Sequence, residues 1–258
     1  MDIRSVERTV RLLEELAAHR DGLRLVDLCE ITGLNASTVL RFMRALERMG
    51  YAVRNSGDGR YSLGPRAGRL GPSASLLVLQ RLSKPYMEEL QVACGEDVNL
   101  AILDAGAVLC IETQKASNIL GVNFASGLRM PVHASSIGKA ILAFLPQDKQ
   151  RALLSQIELQ RFTPATIVSM AKLWSELEFT RRRGYSTDKE EHTPGVVCIG
   201  APVFDMECNT IAALSITAPV QRVSCDELES RYSGLLLATA EKISAALGCN
   251  RKFANRMV

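Results

Sequence analysis

The chain has 258 residues, of which 47% are hydrophobic and 23% are charged, and its formal net charge is +3. This length fits two domains, and the composition is that of a globular protein rather than a disordered or fibrous one. No stretch approaches the ~20 apolar residues of a membrane span, and the first ten residues lack the apolar core of a signal peptide. We therefore expect a cytoplasmic protein with no membrane partner.

Positive charge is concentrated near the amino terminus. Residues 1–72 contain twelve of the 31 basic residues, all arginine, and nine of the 28 acidic residues. This segment therefore carries the whole net charge of +3, and the remainder is neutral. Binding to nucleic-acid phosphates requires such an excess, so we expect any DNA contact here.

Helical spacing of apolar residues predicts two helices in this basic segment. The first helix, over residues 3–18, has an apolar stripe that we expect to pack beneath the others, formed by Val6, Val10, Leu13 and Ala17. A second helix follows from Leu25 to Ile31 and is closed by Gly33, a residue typical of helix ends.

Asn35 predicts the start of a third helix over residues 36–49, because asparagine caps helices by accepting a bond from a backbone N–H two or three residues on. Two short runs, 51–54 and 60–63, then flank a glycine-rich polar turn, which is a hairpin signal. Helix, turn, helix and hairpin predict a winged helix-turn-helix domain that inserts its third helix into the major groove.

The DNA-contacting side chains are expected at the leading end of the third helix and on the wing. Asparagine, serine, threonine and arginine can all donate hydrogen bonds to bases or phosphates. The alternative is a helical packing module with a solvated arginine face, but cap, spacing and hairpin agree on DNA binding. The candidates are Asn35, Ser37, Thr38, Arg41, Arg44 and Arg60.

The rest of the chain predicts a linker helix and an α+β domain. Strands interrupted by helices, with hairpins among them, indicate an antiparallel sheet. The linker contains Pro85, where a kink is compatible with the pattern. The predicted domains are 1–70, 71–92 (the linker helix) and 93–258. In the last, we expect strands at 97–103, 107–113, 121–124, 196–204 and 210–217, helices at 134–144, 152–154, 173–183 and 226–247, and a loop at 186–195.

The seven cysteines form no Cys-x-x-Cys pair. An odd number without such spacing argues against a disulfide framework and against a structural zinc site. We expect buried thiols that act as small apolar groups, and neither a cofactor nor a metal.

Six segments spread over nearly the whole chain carry a family resemblance. They are Thr32–Arg41, Leu46–Tyr51, Pro131–Ala143, Arg183–His192, Gly195–Val203 and Ala212–Thr217. In their order and spacing, these segments resemble the IclR family of bacterial transcriptional regulators.

This resemblance implies a homodimer or homotetramer that binds double-stranded, palindromic operator DNA. It also implies that the second domain is GAF-like and binds a small effector, usually an organic acid or an aromatic catabolite. The chain departs from the usual family pattern at Ser136–Ile137, where smaller residues are more usual, and at Thr217, where serine is common. The implied effector site comprises Ser136, Ile137, Asp188, Val196, Cys198, Ser215 and Thr217.

Some of these residues have side-chain chemistry that suits an anionic ligand. The first turn of a helix beginning near Ser135 could hold a carboxylate through its N–H groups, although plain helix capping is the alternative. Ser215 and Thr217 are two apart on a strand, so their hydroxyls share one face. Both features fit a small polar ligand held by a few donors.

Acidic residues near this site need a different interpretation. Asp188 would repel a carboxylate unless it accepts a hydrogen bond from a ligand hydroxyl, which favours a hydroxylated acid as a hypothesis. Glu190 and Glu191 are expected on the solvated surface.

An enzyme is the alternative from another functional class. Cys198 with His192, and with His133 and Asp188, could be assembled into a cysteine-hydrolase site. Cys198 lies in an apolar run, however, where a buried, unreactive thiol is expected. His133, His192 and Cys208 also lack a recognised metal-ligand spacing. We therefore favour a regulator.

Overall fold

The computed structural model describes residues 4–19, 21–55, 57–67, 72–117 and 124–249, with side chains from 76 onward in the fourth range. The chain divides into two compact units, residues 1–78 and 79–258. The predicted strand at 121–124 lies mostly outside the described residues. Among the helices within these ranges, none is long and apolar enough to cross a membrane.

The first unit is a three-helix domain with a two-stranded wing, as predicted. Its strands pair antiparallel, with Ala52 opposite Leu63. The apolar core includes Leu28, Val39, Met43 and Tyr61, all at most 2% exposed. The elements are α1 (Arg4–Ala18), α2 (Leu25–Thr32), α3 (Ala36–Arg48), β1 (Ala52–Arg54) and β2 (Tyr61–Leu63).

The stripe predicted for α1 was wrong except at Leu13, which packs against the core of this unit. Leu12 and Leu16 are the buried residues of this helix, whereas Val6 and Val10 are 55% and 46% exposed. The helix has apolar residues on two faces, and helical periodicity does not say which face packs on α2 and the wing. The leucines bury the larger apolar area, so their face lies in the core.

The second unit is built on a six-stranded antiparallel sheet with the order β5-β4-β3-β8-β7-β6. The predicted α+β class is confirmed. Its elements begin within α4 (Pro72–Cys94), which includes Pro85 in one helix. They continue with β3 (Asp97–Asp104), β4 (Ala107–Gln114), β5 (Arg129–Met130), α5 (Ser136–Phe144), α6 (Gln147–Leu154), α7 (Met170–Arg183), β6 (Ser186–Lys189), β7 (Val196–Phe204), β8 (Thr210–Pro219) and α8 (Cys225–Ala246).

One predicted loop is partly a strand. Residues 186–189 form β6, the edge strand paired with β7, and Asp188 lies opposite Cys198. The polar composition of this segment indicates a loop, but pairing with the apolar β7 buries Ser186, Thr187 and Asp188. Long-range pairing thus overrides local propensity.

Helix α5 packs against the sheet with very little separation, because Gly200 of β7 presents no side chain to it: a Cβ there would lie 2.8 Å from the carbonyl carbon of Ser136. The segment before α5 is equally close to the helix, since a Cβ on Gly138 would lie 2.3 Å from the carbonyl oxygen of Val132. Neither position can take a larger residue without moving backbone. The first turn of α5 is therefore held directly over β7.

Candidate functional site

Asn35 caps α3 as predicted. Its Oδ1 accepts hydrogen bonds from the backbone N–H of Thr38 and from the hydroxyl of Ser37, both at 2.9 Å. Both the acceptor oxygen of Asn35 and the proton of Ser37 are thus engaged in the cap. These two hydrogen bonds use neither the amide NH₂ group of Asn35 nor the lone pairs of Ser37.

The arginines of α3 and the wing differ in their placement. Arg41 and Arg44 are exposed on α3, one helical turn apart. Arg60 instead donates from Nη1 to the carbonyl oxygen of Gly22 at 2.8 Å, and its Nε lies 3.7 Å from Asp58. Its side chain ties the wing to the chain before α2, a role that wing composition alone did not indicate.

The second unit contains a small cavity between the sheet and the first turn of α5, with an accessible volume of about 10 Å³. Six of the seven predicted effector residues line it: Ser136, Ile137, Asp188, Cys198, Ser215 and Thr217. Val196 does not; it packs against the apolar core. The prediction missed five lining residues, which are Asn99, Phe124, Met130, Ser135 and His192.

Asn99 is the missed residue with the clearest polar role. It lies on β3 opposite Ser215 of β8. Its Nδ2 donates to Thr217 Oγ1 at 3.2 Å, its Oδ1 accepts from Thr113 Oγ1 at 3.1 Å, and Thr217 Oγ1 donates to Cys198 Sγ at 3.4 Å. A buried asparagine within an apolar strand is a sequence signal that could have identified it.

The cap of α5 is Ser135. Its Oγ accepts from the N–H of Gly138 at 3.2 Å and donates to the carbonyl oxygen of Pro131 at 2.7 Å. Ser136, the next residue, lines the cavity at the start of the helix. The positive end of the α5 dipole therefore lies at the cavity wall, where it favours a negative ligand group.

Glu191 corrects the expectation of a solvated acidic loop. It is 5% exposed, and its Oε1 accepts a hydrogen bond from Nζ of Lys139, a fully buried residue of α5. Its Oε2 has no hydrogen-bond partner. Glu190 is also engaged, since its Oε2 accepts from the N–H of Gly195 at 2.7 Å. A lysine in an otherwise apolar helix was the sequence signal for a buried partner.

Asp188 is the carboxyl group that faces the cavity. Its Oδ1 accepts from the N–H of Glu191 at 2.7 Å. Burial raises the pKa of Asp188 to about 7, against the opposing effect of the Lys139 ammonium group. Near neutral pH this side chain therefore exists in both protonation states and can donate or accept a hydrogen bond.

Cys198 and His192 lack the properties of a catalytic cysteine–histidine pair. Burial raises the pKa of Cys198 well above its usual value, and the nearby Asp188 raises it further. Burial lowers the pKa of His192, whose ring stacks edge-on against Phe162 at 5.2 Å. A thiol that stays protonated is a poor nucleophile. In the described part of the chain, no three His, Cys, Asp or Glu side chains are grouped to hold a metal.

A winged helix-turn-helix unit followed by an α+β domain with a small polar-lined cavity defines a class of transcription regulators that carry DNA-binding and ligand-binding domains in one chain. Family comparison agrees with this class. The model of the IclR helix-turn-helix domain matches residues 5–56, and that of the bacterial transcriptional regulator IclR C-terminal domain matches residues 73–245. The chain belongs to the IclR family.

Known proteins similar to this chain are also regulators. The transcriptional repressor IclR of Escherichia coli K12 is 32% identical over 95% of this chain and 90% of its own length, and the regulator XynR of the same strain is 33% identical over 95% and 98%. The Thermotoga maritima IclR structure, at 25% identity, matches with a TM-score of 0.63 over 96% of this chain and all of that one. The protein is a DNA-binding transcriptional regulator and not an enzyme.

Proposed function

We propose that the protein binds a palindromic operator as a homodimer or homotetramer, and that a small carboxylate effector in the second-unit cavity changes its DNA affinity. In this proposal, residues 1–70 bind DNA, 71–92 link the domains and 93–258 bind the effector. The observation that carries it is the cavity, because six side chains from four separate segments of the chain converge on one space beside a helix amino terminus. Similarity to repressors supports repression as the mode of control.

On the DNA side, we propose that the leading end of α3 contacts base edges. Ser37, Arg41 and Arg44 are exposed there, and Asn35 and Thr38 form the cap that fixes their positions. An exposed arginine can bind guanine through two hydrogen bonds. Arg60 contributes by holding the wing in place, as its bond to Gly22 supports.

On the effector side, the lining favours a small hydroxylated acid. Ser136, Ser215 and Thr217 supply hydroxyls, and the amino terminus of α5 favours a carboxylate. Asp188, with its pKa near 7, can accept from a ligand hydroxyl when ionised or donate to a carboxylate when protonated. The apolar lining residues, Phe124, Met130 and Ile137, suit a short apolar part of the ligand.

The effector can act on DNA binding only through a difference in its affinity for two arrangements of the protein. A coupling of 1–3 kcal/mol, typical of such systems, corresponds to about a 5–150-fold change in operator affinity. The ligand would act on the cavity wall formed by α5 and β7. The backbones of these two elements are in close contact at Gly200, so a displacement of one would move the other.

The test is fluorescence anisotropy at fixed salt, with full-length protein and DNA from upstream of its own gene. A panel of hydroxylated and aromatic carboxylates is added, each paired with its deoxy analogue and its methyl ester. Selective DNA binding that one acid changes, and that the matched ester does not, supports the proposal. Binding no tighter to this DNA or neighbouring promoters than to random DNA would overturn it.

A further inference from the structure

Two cysteines that are 41 residues apart in sequence come into contact in the second unit. Cys208 lies in the turn between β7 and β8, and Cys249 follows the carboxyl end of α8. Their Sγ atoms are 3.1 Å apart. The odd cysteine count and the absence of a Cys-x-x-Cys pair gave no indication of this contact.

Backbone conformations with positive φ occur on both sides of this contact. Cys208 has a φ of +65°, a conformation that non-glycine residues rarely adopt, within a turn closed by hydrogen bonds between Asp205 and the residues after it. On the other side, Gly248 has a φ of +92°, and a Cβ there would lie 3.1 Å from Cβ of Met206. The N–H of Cys249 then bonds to the carbonyl of Ser244 at 2.9 Å.

The two thiols also differ in access. Cys208 is half-buried, whereas Cys249 is 4% exposed. An oxidant from solvent therefore meets Cys208 first, and Cys249 is positioned as the second, resolving sulfur. Four other cysteines are protected, because burial raises the pKa of Cys94, Cys110, Cys198 and Cys225.

We propose that Cys208 and Cys249 are a redox-responsive pair that a hydroperoxide oxidises to a disulfide, tying the β7–β8 turn to the end of α8. The Cys208 thiolate attacks one peroxide oxygen, so that an S–O bond forms, the O–O bond breaks and the departing oxygen leaves, with a proton, as water or alcohol. The Cys249 thiolate then attacks the Cys208 sulfur; the S–S bond forms, the S–O bond breaks and water leaves. Two thiols lose two electrons in total, and the peroxide gains them.

The experiment uses full-length protein treated with one to two equivalents of hydrogen peroxide, after which catalase removes the remaining peroxide. Thiols titrated after denaturation should fall from seven to five, since the sequence has seven cysteines. Mass spectrometry should find the tryptic peptides 190–222 and 243–251 joined, with fragmentation placing the bond at Cys208. Dithiothreitol should restore all seven thiols. The oxidised protein should melt several degrees higher, because the crosslink restrains the unfolded chain.

Three variants make the result specific. Cys208→Ser and Cys249→Ser should each abolish the linked peptides, whereas Cys29→Ser, a half-buried cysteine in the first unit, should retain them. Gly248→Ala should slow crosslinking, because the added Cβ meets Met206. A linkage from Cys198, a bond only between two chains, or seven thiols remaining after treatment would each overturn the proposal.

Discussion

Nζ of Lys139 donates to Oε1 of Glu191 inside the second unit, and these side chains are 0% and 7% exposed. The bond joins α5 to the turn after β6. The charges of both partners also act on the pKa of Asp188, which Lys139 lowers and Glu191 raises. A buried charge is costly unless it is paired, so removal of either partner would leave the other without compensation. This pair fixes the relative positions of two elements that line the cavity.

Lys139→Met should lower the free energy of unfolding by about 3–5 kcal/mol, because Glu191 would be left buried without a counter-charge. Changing both residues, as in Lys139→Met with Glu191→Leu, should recover most of the loss, since both charges are removed. Urea unfolding measures each value. Arg182→Met, which breaks the exposed pair with Glu178, is the control and should have little effect. A double variant no more stable than Lys139→Met would contradict this account.

Asp188→Asn should reduce the loss of stability between pH 5 and pH 8. The pKa of Asp188 is raised from 3.8 to about 7, so in this range the folded protein keeps a proton that the unfolded chain has released. Its contribution is fully present below pH 4 and is lost as the pH rises through 7. The difference between the two proteins should be on the order of 2–3 kcal/mol.

Urea unfolding at four pH values measures this difference. Comparing Asp188→Asn with the unaltered protein isolates Asp188 from His192, whose lowered pKa acts in the opposite direction. Asp226→Asn, at a side chain that is 87% exposed, is the control. Parallel pH profiles for Asp188→Asn and the unaltered protein would mean that Asp188 ionises normally.

Arg41→Ala should weaken binding to the operator by about 1–3 kcal/mol if its exposed guanidinium contacts a base edge. Anisotropy titrations with operator and random DNA at the same salt separate the two kinds of contact. Arg182→Ala removes the same charge from α7 and should leave both affinities unchanged. An equal loss on random DNA would assign Arg41 to phosphate contacts alone.

Gly138→Ala should destabilise the second unit, because the new Cβ would lie 2.3 Å from the carbonyl oxygen of Val132 and backbone would have to move. Gly234→Ala, in the exposed part of α8 with no atom within 4 Å, should be neutral or stabilise by about 0.5–1 kcal/mol. Thermal unfolding of both variants tests the contrast. Equal melting temperatures would show that α5 can shift away from Val132.

Local sequence signals determined most of the elements. The cap at Asn35, the turn at 104–106 with Ala105 and Gly106 both at positive φ, and the end of α7 at Gly184 all occur where short-range chemistry places them. These features depend on a few neighbouring residues, so they can be recognised without knowing the fold. The apolar runs of β7 and β8 were equally clear.

The tertiary structure alone decided which face of α1 is buried, that residues 186–189 pair as an edge strand, and that Glu191 meets Lys139. It also brought Asn99 to the cavity and Cys208 to Cys249. Each of these depends on residues far apart in the chain, and sequence periodicity carries no information about the partner that a face or a charge will meet. The physical reason is that burial and pairing energies are set by the assembled fold, and they outweigh the local preferences of individual segments.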